Sequence, residues 1–249
     1  MSVPPEAALV AALGASPAPV VLWWRDDDAG RDHPRLASLL ALAERRRAPV
    51  ALAVVPEWLE EACAARILGC PLATVLQHGI AHADHAVPPG KKIELGGSAD
   101  HAALARDLVR GRERLAAAFG ARFRPVLVPP WNRIDPDLVP GLPALGFKAL
   151  STFGRRRAAE PVMGLRQVNT HLDLVAWREG GRALSPEEAL SALAERVRAY
   201  DGEPIGILSH HLVMGDAALA TLDRLLTLVQ DHPKARLLGM GTLLGEARW

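Results

Sequence analysis

The sequence predicts an α/β fold in which about seven parallel strands form a distorted barrel with helices on the outside. Short apolar runs alternate with amphipathic stretches almost from end to end, which is the pattern of repeated strand–helix units. The chain has 249 residues, 49% of them hydrophobic, so it is long enough for one sizeable core. About seven or eight such units fit a barrel better than an open sheet. We therefore expect residues 1–249 to form a single domain.

The expected strands are short apolar runs that end at polar residues or at proline. Residues 20–24 form a compact, bulky run that stops at Arg25 and three aspartates. Residues 72–76 form another such run and lead into His78. Further strands are expected at residues 50–55, 125–128, 147–151, near 167–174, 205–209 and 237–238.

The expected helices have apolar residues at helical spacing and recognisable first residues. In residues 34–47 the leucines are spaced so that they lie on one side of a helix. The stretch begins with a proline, which suits the first turn of a helix. Ser185 lies three residues before Glu188, which is the pattern of a capping box. Residues 82–97 contain clusters of proline and glycine and predict a long loop, of the kind that often forms a lid or a binding loop. Further helices are expected over residues 57–68, 100–119, 135–145 and 217–230.

The charge balance is nearly neutral, with 29 Lys plus Arg, 28 Asp plus Glu and a net charge of +1. No strong field attracts nucleic acid or an anionic membrane, so neither is an expected partner. Residues 1–20 do not resemble a signal peptide, and no stretch reaches the roughly 20 apolar residues of a membrane span. Cys63 and Cys70 match neither a disulfide framework nor a zinc ribbon. We therefore expect a cytoplasmic protein with reduced thiols, and the sequence leaves its oligomeric state open.

Carboxylates and imidazoles follow the expected strands. The aspartates at 26–28 follow the first strand, and His78 follows the third. His171 lies in a later strand, and His210 and His211 come directly after the strand at 205–209. Because the carboxyl ends of parallel strands meet at one rim, these side chains from distant parts of the chain are expected to form one site.

A metal site is predicted from Asp28, His78 and His82. Histidines four residues apart lie on one side of a helical turn and can reach one cation, although such pairs also occur as ordinary polar residues. The acidic triplet could also be a solvated turn or a helix cap. However, it follows a very apolar run, and adjacent like charges are costly unless a cation or an acid–base role offsets them. Two histidines and one carboxylate leave a coordination position open, as in catalytic zinc sites.

These motifs, in their order, resemble those of the polysaccharide deacetylase family, also called carbohydrate esterase family 4 or the NodB homology domain. The family's first motif is T-F-D-D-G, with a base followed by a metal ligand, and a divergent branch writes it R-x-D-D. Arg25 to Asp28 match that form. The resemblance implies that Asp27 is the base and Asp28 the ligand. The register one residue earlier, Asp26 and Asp27, is the alternative.

The family's second motif, H-S/T-x-x-H, supplies two metal ligands. His78 and His82 have this spacing, with Gly79 in place of the Ser or Thr. The resemblance implies a NodB-like barrel and a divalent metal, zinc in the first place and cobalt or nickel as alternatives.

The third motif, R-x-P-x-W, is matched only in part. Pro129 and Trp131 match, but Leu127 stands where the family has the arginine that orients the catalytic aspartate. Arg25 or Arg133 could take over that role. Trp131, with Pro129 and Pro130, is expected to offer an apolar wall to the substrate. The residues expected to bind the substrate are Pro130, Trp131 and Asn132.

The last motif, L-x-x-H, supplies the general acid. It is satisfied by His211 after Leu208, and the looser I-x-x-H is satisfied by His210 after Ile207, so both histidines remain candidates. Residues 169–173 fall where the fourth motif belongs but match it poorly. Three residues are expected to contact and orient the catalytic groups and ligands without contacting the metal or the substrate: Arg25, Asp26 and His171.

The resemblance implies a metal-dependent hydrolase of carbohydrate metabolism that removes an acyl group, in the first place acetyl, from an amide nitrogen of a sugar or a related small molecule. Two alternatives stay open. The same site could cut another linear or cyclic C–N amide bond, because fold and metal do not fix the substrate. The chain could also be a metal- or sugar-binding relative that lost activity together with the arginine.

Overall fold

The computed structural model describes residues 3–246. Its centre is a curled sheet in which all the neighbouring strands are parallel. The strands are β1 Val20–Ala29, β2 Val50–Val54, β3 Ala73–His78, β4 Phe123–Val128, β5 Ala149–Leu150, β6 Arg166–Gln167, β7 Leu172–Asp173, β8 Val175–Ala176, β9 Arg182–Ala183, β10 Ile205–Ser209 and β11 Ala235–Leu237. The sheet order is β6-β5-β4-β3-β2-β1-β10-β7, with β11 beside the start of β1, while β8 and β9 form a separate antiparallel hairpin.

Residues 166–173 join the two ends of this sheet. Their first part, β6, pairs with β5, and their last part, β7, pairs with β10. Between the two, Thr170 forms a parallel bridge with Phe153. If β6 and β7 are taken as one interrupted strand, β1–β5, this strand and β10 form the curled barrel. The predicted fold class, a distorted parallel α/β barrel, is therefore confirmed.

Within residues 3–246, six helices lie outside the sheet, and a seventh, short helix packs Met240 against the apolar cluster inside the barrel. They are α1 Pro5–Ala15, α2 Pro34–Arg46, α3 Glu61–Gly69, α4 His101–Phe119, α5 Pro186–Arg198, α6 Asp216–Asp231 and the short α7 Met240–Leu243. The predicted capping box starts α5: the Glu188 backbone N–H donates to the Ser185 hydroxyl, and the Ser185 N–H donates to the Glu188 carboxylate. None of the helices between residues 3 and 246 combines the length and apolarity that a bilayer crossing requires.

Two predicted helices differ in the structure, and proline explains both. The helix predicted over 135–145 is wrong: only a 3-10 turn forms, over Pro136–Gly141. Pro140 lies inside it and has no N–H to continue a helical ladder. The helix predicted from residue 57 starts at Glu61, because Pro56–Trp58 form a separate 3-10 turn first. Helix α1 was not expected; it packs closely against α5.

The first strand is longer than its apolar run, and its alternation decides where its polar side chains point. Successive side chains of a strand face opposite sides of the sheet. Trp23 belongs to the apolar cluster inside the barrel, whereas Trp24 packs in the cluster between sheet and helices. By the same alternation Arg25 and Asp27 face the interior and Asp26 faces the helices. Strand β1 therefore carries polar side chains to both sides of the sheet.

Candidate active site

Asp28, His78 and His82 form a compact cluster at the carboxyl ends of β1 and β3. Asp28 Oδ1 lies 3.2 Å from His78 Nε2 and 3.3 Å from His82 Nε2, and the three ligand atoms are all within 4.8 Å of one another. One carboxylate oxygen thus faces two imidazole nitrogens, which requires a proton or a cation among them. Bonds of about 2.0–2.1 Å in a tetrahedral zinc site separate neighbouring ligand atoms by about 3.3 Å. The donor set and its spacing therefore fit a divalent metal.

The cluster is tuned for metal binding by its surroundings. The His78 Nδ1 lies 2.9 Å from the Val128 carbonyl oxygen, a partner that fixes the ring and directs Nε2 at the cluster. Burial alone would raise the pKa of Asp28, but the bond and charge of His78 outweigh it and hold the pKa well below its usual range. Burial and the neighbouring His78 lower the pKa of His82. These shifts favour ionised Asp28 and neutral His82 at neutral pH, the forms that bind a metal, whereas the raised pKa of His78 favours a proton that a metal would have to displace.

Asp27 is held by Arg25, which is completely buried. The Arg25 Nε lies 2.8 Å from Asp27 Oδ1, and Arg25 Nη2 donates to Asp27 Oδ2 at 2.9 Å. The same guanidinium donates to Asn132 Oδ1 at 2.9 Å and to Ser151 Oγ at 2.7 Å. Because the planar guanidinium contacts Asp27 through two nitrogens and is itself fixed by Asn132 and Ser151, it holds the Asp27 carboxylate in one orientation. Of the two arginines considered for the missing motif residue, Arg25 contacts Asp27, whereas Arg133 donates to the Lys92 carbonyl.

His211 points away from the cluster and into the layer between barrel and helices. Its Nδ1 bonds Asp26 Oδ1, and its backbone N–H donates to Asp26 Oδ2 at 3.1 Å. Ser209 Oγ donates to the same Oδ2 at 2.6 Å, so Asp26 is fully buried and fully bonded. The ring of His211 lies among residues of α2 and α6, including Leu39 and Leu219.

His210 faces the site and pairs with Asp173. Its Nδ1 lies 3.6 Å from Asp173 Oδ1. Burial alone would lower the pKa of His210, but Asp173 and the nearby aspartates of β1 outweigh it and raise the pKa to about 9. Trp177 donates its indole N–H to Asp173 Oδ2 at 2.9 Å, and its ring meets His210 edge-on at 4.9 Å. Asp173 and the aspartates of β1 therefore favour the protonated form of His210.

Aromatic rings enclose His82 on both sides. The centroid of Trp131 lies 4.4 Å from that of His82, and Trp58 lies 5.4 Å from it on another side. Both tryptophans are half-buried. Pro130 is buried against the backbone of Gly79, and Asn132 serves as a partner of Arg25 as described above. Of the three residues expected to bind the substrate, Trp131 is thus the one whose ring lies against His82.

Strained backbone concentrates at this site. Within residues 3–246, five residues other than glycine have a positive φ, and four of them border the cluster. A positive φ in such residues costs free energy and is kept where the surrounding structure enforces it. The four are Asp28 (φ 70°), His82 (57°), Trp131 (54°) and Asn132 (56°).

His171 lies elsewhere. Its Nε2 is 3.2 Å from Glu203 Oε1, and its Nδ1 accepts from the Gly206 N–H at 3.2 Å. Both partners are near the amino end of β10, whereas the metal cluster lies at the carboxyl ends of the strands. The pairing lies at the amino-terminal ends of the strands, so His171 does not reach the site.

The sequence alone did not identify three of the polar residues that support this site. Asp173 is the last residue of the poorly matched stretch 169–173 and Trp177 follows it, and their spacing of four residues was the available signal. Glu94 lies in the loop predicted over 82–97, and its buried carboxylate binds the backbone next to His82. A lone acidic residue in a loop rich in proline and glycine gives no signal of burial.

No protein-family model matches the chain, and no curated protein is similar to it. Solved structures are similar. The Bc1960 peptidoglycan N-acetylglucosamine deacetylase has a TM-score of 0.61 and 14% identity, covering 91% of this chain and 89% of its own. A cobalt-bound family 4 acetyl xylan esterase from Clostridium thermocellum has 0.57 and 14%, covering 91% and 92%. A pseudoenzyme of family CE4 from Bacillus anthracis has 0.59 and 14%, covering 94% and 68%.

At 13–15% identity these similarities establish the fold. They agree with the resemblance that the sequence motifs indicated, and they extend over nine tenths of the chain. The protein therefore has the barrel fold of the family 4 carbohydrate esterases, the polysaccharide deacetylases.

Proposed function

We propose that the protein is a metal-dependent hydrolase that removes an acyl group, in the first place acetyl, from an amide nitrogen of a sugar or a related compound. The observation that carries this proposal is the Asp28–His78–His82 cluster, whose Asp28 is next in the chain to the buried, oriented Asp27. His210, whose pKa is raised partly by the charges of Asp27 and Asp28, completes the set of groups. Similarity to deacetylases and to a cobalt-bound acetyl xylan esterase supports it. Zinc and a cytoplasmic location remain predictions from the sequence.

Asp28, His78 and His82 would hold the metal through one carboxylate oxygen and two Nε2 atoms. When bound, a divalent metal supplies Lewis acidity, polarising the amide carbonyl and making water a better nucleophile near neutral pH. A bound metal would take the place of a proton on His78: burial lowers the pKa of His78, but the bond to Asp28 and the charges of Asp27 and Asp28 together outweigh burial and raise it.

Asp27 takes the proton of the attacking water in this proposal. Its carboxylate is kept in place by the two-point contact with Arg25, and Arg25 is in turn fixed by Asn132 and Ser151. A base must lie within hydrogen-bond reach of the proton it removes, so such orientation matters as much as basicity. Asp26, the alternative base, faces the helices on the other side of β1, where it is bonded to Ser209 and His211 and does not reach the cluster.

His210 protonates the leaving amine. An amine cannot leave as an anion at neutral pH, so it needs a proton as the C–N bond breaks. His210 carries that proton up to a pH of about 9, since its pKa is raised to about 9 by Asp173 and the aspartates of β1. An ionised base and a protonated acid in one site are the two states that hydrolysis requires. Trp131 provides an apolar face against which a sugar ring or an acyl group can lie.

Asp27→Asn tests this proposal with Asp28→Ala as its counterpart. Asp27→Asn should lower kcat on an N-acetylated substrate by about 10²–10⁴-fold and leave the metal bound, since it removes a base. Asp28→Ala should lose both metal and activity. Kinetics and metal content are measured on the same preparations, with N-acetylated sugars and linear and cyclic amides as substrates. Normal turnover by Asp27→Asn would contradict the assignment of the base.

Two observations favour a non-catalytic relative: Leu127 replaces the motif arginine, and a CE4 pseudoenzyme is among the similar structures. The contact of Arg25 with Asp27 argues for catalysis, because it supplies the missing cation from a neighbouring position of β1. Metal binding without turnover of any amide in the substrate panel would favour the non-catalytic alternative.

A further inference from the structure

Glu94 is a buried carboxylate that pairs with no cationic side chain within residues 3–246, and it is bound by three backbone N–H groups. Its exposed fraction is 1%. Its Oε2 accepts from the N–H of Ile80 at 3.0 Å, and its Oε1 accepts from the N–H groups of Ala81 at 2.7 Å and Ala83 at 3.1 Å. Hydrogen bonds to an ionised acceptor are the strong class, and three of them offset the cost of burying the charge.

Two of these N–H groups flank His82 in the chain. His82 has a φ of 57°, a conformation that costs free energy in a residue other than glycine and that its surroundings must enforce. The bonds from Ala81 and Ala83 fix the backbone immediately before and after it. The direction of the His82 ring toward Asp28 therefore depends on the carboxylate of Glu94.

Gly79 leaves the space that this carboxylate fills. A Cβ atom on Gly79 would lie 1.9 Å from Glu94 Oε2 and 2.6 Å from a ring carbon of Pro130. The φ of Gly79 is 55°, which also favours glycine. The motif that His78–His82 resembles has Ser or Thr at this position, so here the polar group comes from a different part of the chain.

We propose that Glu94 is a positioning residue that preorganises the turn from His78 to His82 for metal binding. The proposal rests on the metal site of the proposed function and assigns that site a fourth, non-ligating residue. Glu94 holds His82 in its strained conformation before a metal binds. Metal binding therefore does not have to order this ligand, and the metal affinity is higher than it would be with a flexible turn. Residues that orient metal ligands through hydrogen bonds typically contribute about 10–100-fold to metal affinity.

The test compares Glu94→Gln with Asp84→Asn in the full chain. Glutamine has nearly the same shape but cannot accept bonds on both oxygens, because one of them becomes an NH₂ group. Asp84 is a matched control: it lies in the same loop, loses the same charge, and accepts from the backbone of Ala86 and Ile93 rather than from residues next to His82. Metal-free protein is titrated with Co²⁺, and the absorption bands of the bound ion report the Kd.

We expect Glu94→Gln to raise the Kd for Co²⁺ about 10–100-fold and Asp84→Asn to change it less than about threefold. Equal Kd values for Glu94→Gln and the unaltered protein would overturn the proposal, and so would equal weakening in both variants. Absence of Co²⁺ binding by the unaltered protein would overturn it together with the proposed function. Weaker binding by Glu94→Gln, with no amide hydrolysed by any form, would sustain the inference and contradict only the hydrolase.

Amide hydrogen exchange of the metal-free protein gives a second readout. In the unaltered protein and in Asp84→Asn, the N–H groups of Ile80, Ala81 and Ala83 should exchange slowly, because they are bonded to a buried carboxylate. In Glu94→Gln their exchange should accelerate, while exchange in α4 stays unchanged. Acceleration throughout the protein would indicate a general loss of stability and would contradict a local positioning role.

Discussion

His210 and His211 are neighbours in the chain, yet each pairs with a different aspartate on a different side of β10. His211 bonds Asp26 in the packed layer between barrel and helices, where every oxygen of the carboxylate has a partner. His210 lies 3.6 Å from Asp173, beside the half-exposed Trp177 and close to the metal cluster. The same two residue types thus make a buried structural pair in one case and a candidate proton donor in the other.

This difference shows that the role of each histidine depends on the side of the sheet to which its side chain points. Successive residues point to opposite sides where β10 ends, so one histidine turns to the site and its neighbour turns to the helices. The partners follow the same rule on β1, where Asp26 faces outward and Asp27 inward. Exchanging or removing members of the two pairs should therefore have separable effects on catalysis and on stability.

The largest effect is expected for His210→Ala. Loss of a general acid typically lowers the rate by about 10²–10⁴-fold, and the variant should lose that much in kcat/KM on an N-acetylated amide. Its thermal unfolding should change less than that of His211→Ala, because the partner left behind, Asp173, is partly exposed, whereas Asp26 is fully buried. Retention of more than a tenth of the activity would remove His210 from the mechanism.

His211→Ala should act on stability. It leaves Asp26 buried with Ser209 and one backbone N–H but without its imidazole partner. Breaking a buried pair in this way costs about 3–5 kcal/mol of unfolding free energy. Denaturant unfolding measures that loss, while kcat per folded molecule should stay within about tenfold of the unaltered value. A large loss of kcat with unchanged stability would reverse the assigned roles of the two histidines.

Asp173→Asn should change the pH dependence. Activity requires protonated His210, and Asp173 helps to raise the pKa of His210 to about 9, so activity should fall as the pH rises through about 9. Without the Asp173 carboxylate the pKa of His210 is lower, and the alkaline limb of the kcat/KM profile should move to lower pH. The same substitution at Asp26 should leave the limb in place. An alkaline limb unmoved by Asp173→Asn would mean that another group titrates there.

Trp177→Phe should have the smallest effect. It keeps an aromatic ring near His210 but loses the N–H that donates to Asp173. Because Trp177 is half-exposed, water can replace that donor, and the loss is about 1 kcal/mol, or roughly fivefold in kcat/KM. A loss as large as that of His210→Ala would indicate that the indole N–H contacts the substrate directly.

The sequence predicted the barrel and most of the strands because apolar runs and their polar ends are local signals. It also predicted that Asp28, His78 and His82 belong to one rim, and the structure brings these three together. It left open which of His210 and His211 faces the site. That choice depends on Asp173 and Asp26, whose contacts are 37 and 185 residues away in the chain.

Two further features depend on tertiary structure and could not be read from the sequence. Arg25 looked like one of two candidates for the missing motif arginine, and only the inward side of β1 brings its guanidinium to Asp27. Glu94 lies in a stretch that reads as a mobile loop, and its burial follows from the turn that it binds. The strained backbone of His82 is likewise enforced by the fold, and the residue type alone does not indicate it.

The most direct test of the metal site is elemental analysis of the purified protein beside Asp28→Ala and Asp27→Asn. We expect about one equivalent of a divalent transition metal in the unaltered protein and in Asp27→Asn, and none in Asp28→Ala. Protein that binds no metal after incubation with zinc, cobalt or nickel would contradict the metal-dependent mechanism. The barrel would stand, but its cluster of one aspartate and two histidines would need another explanation.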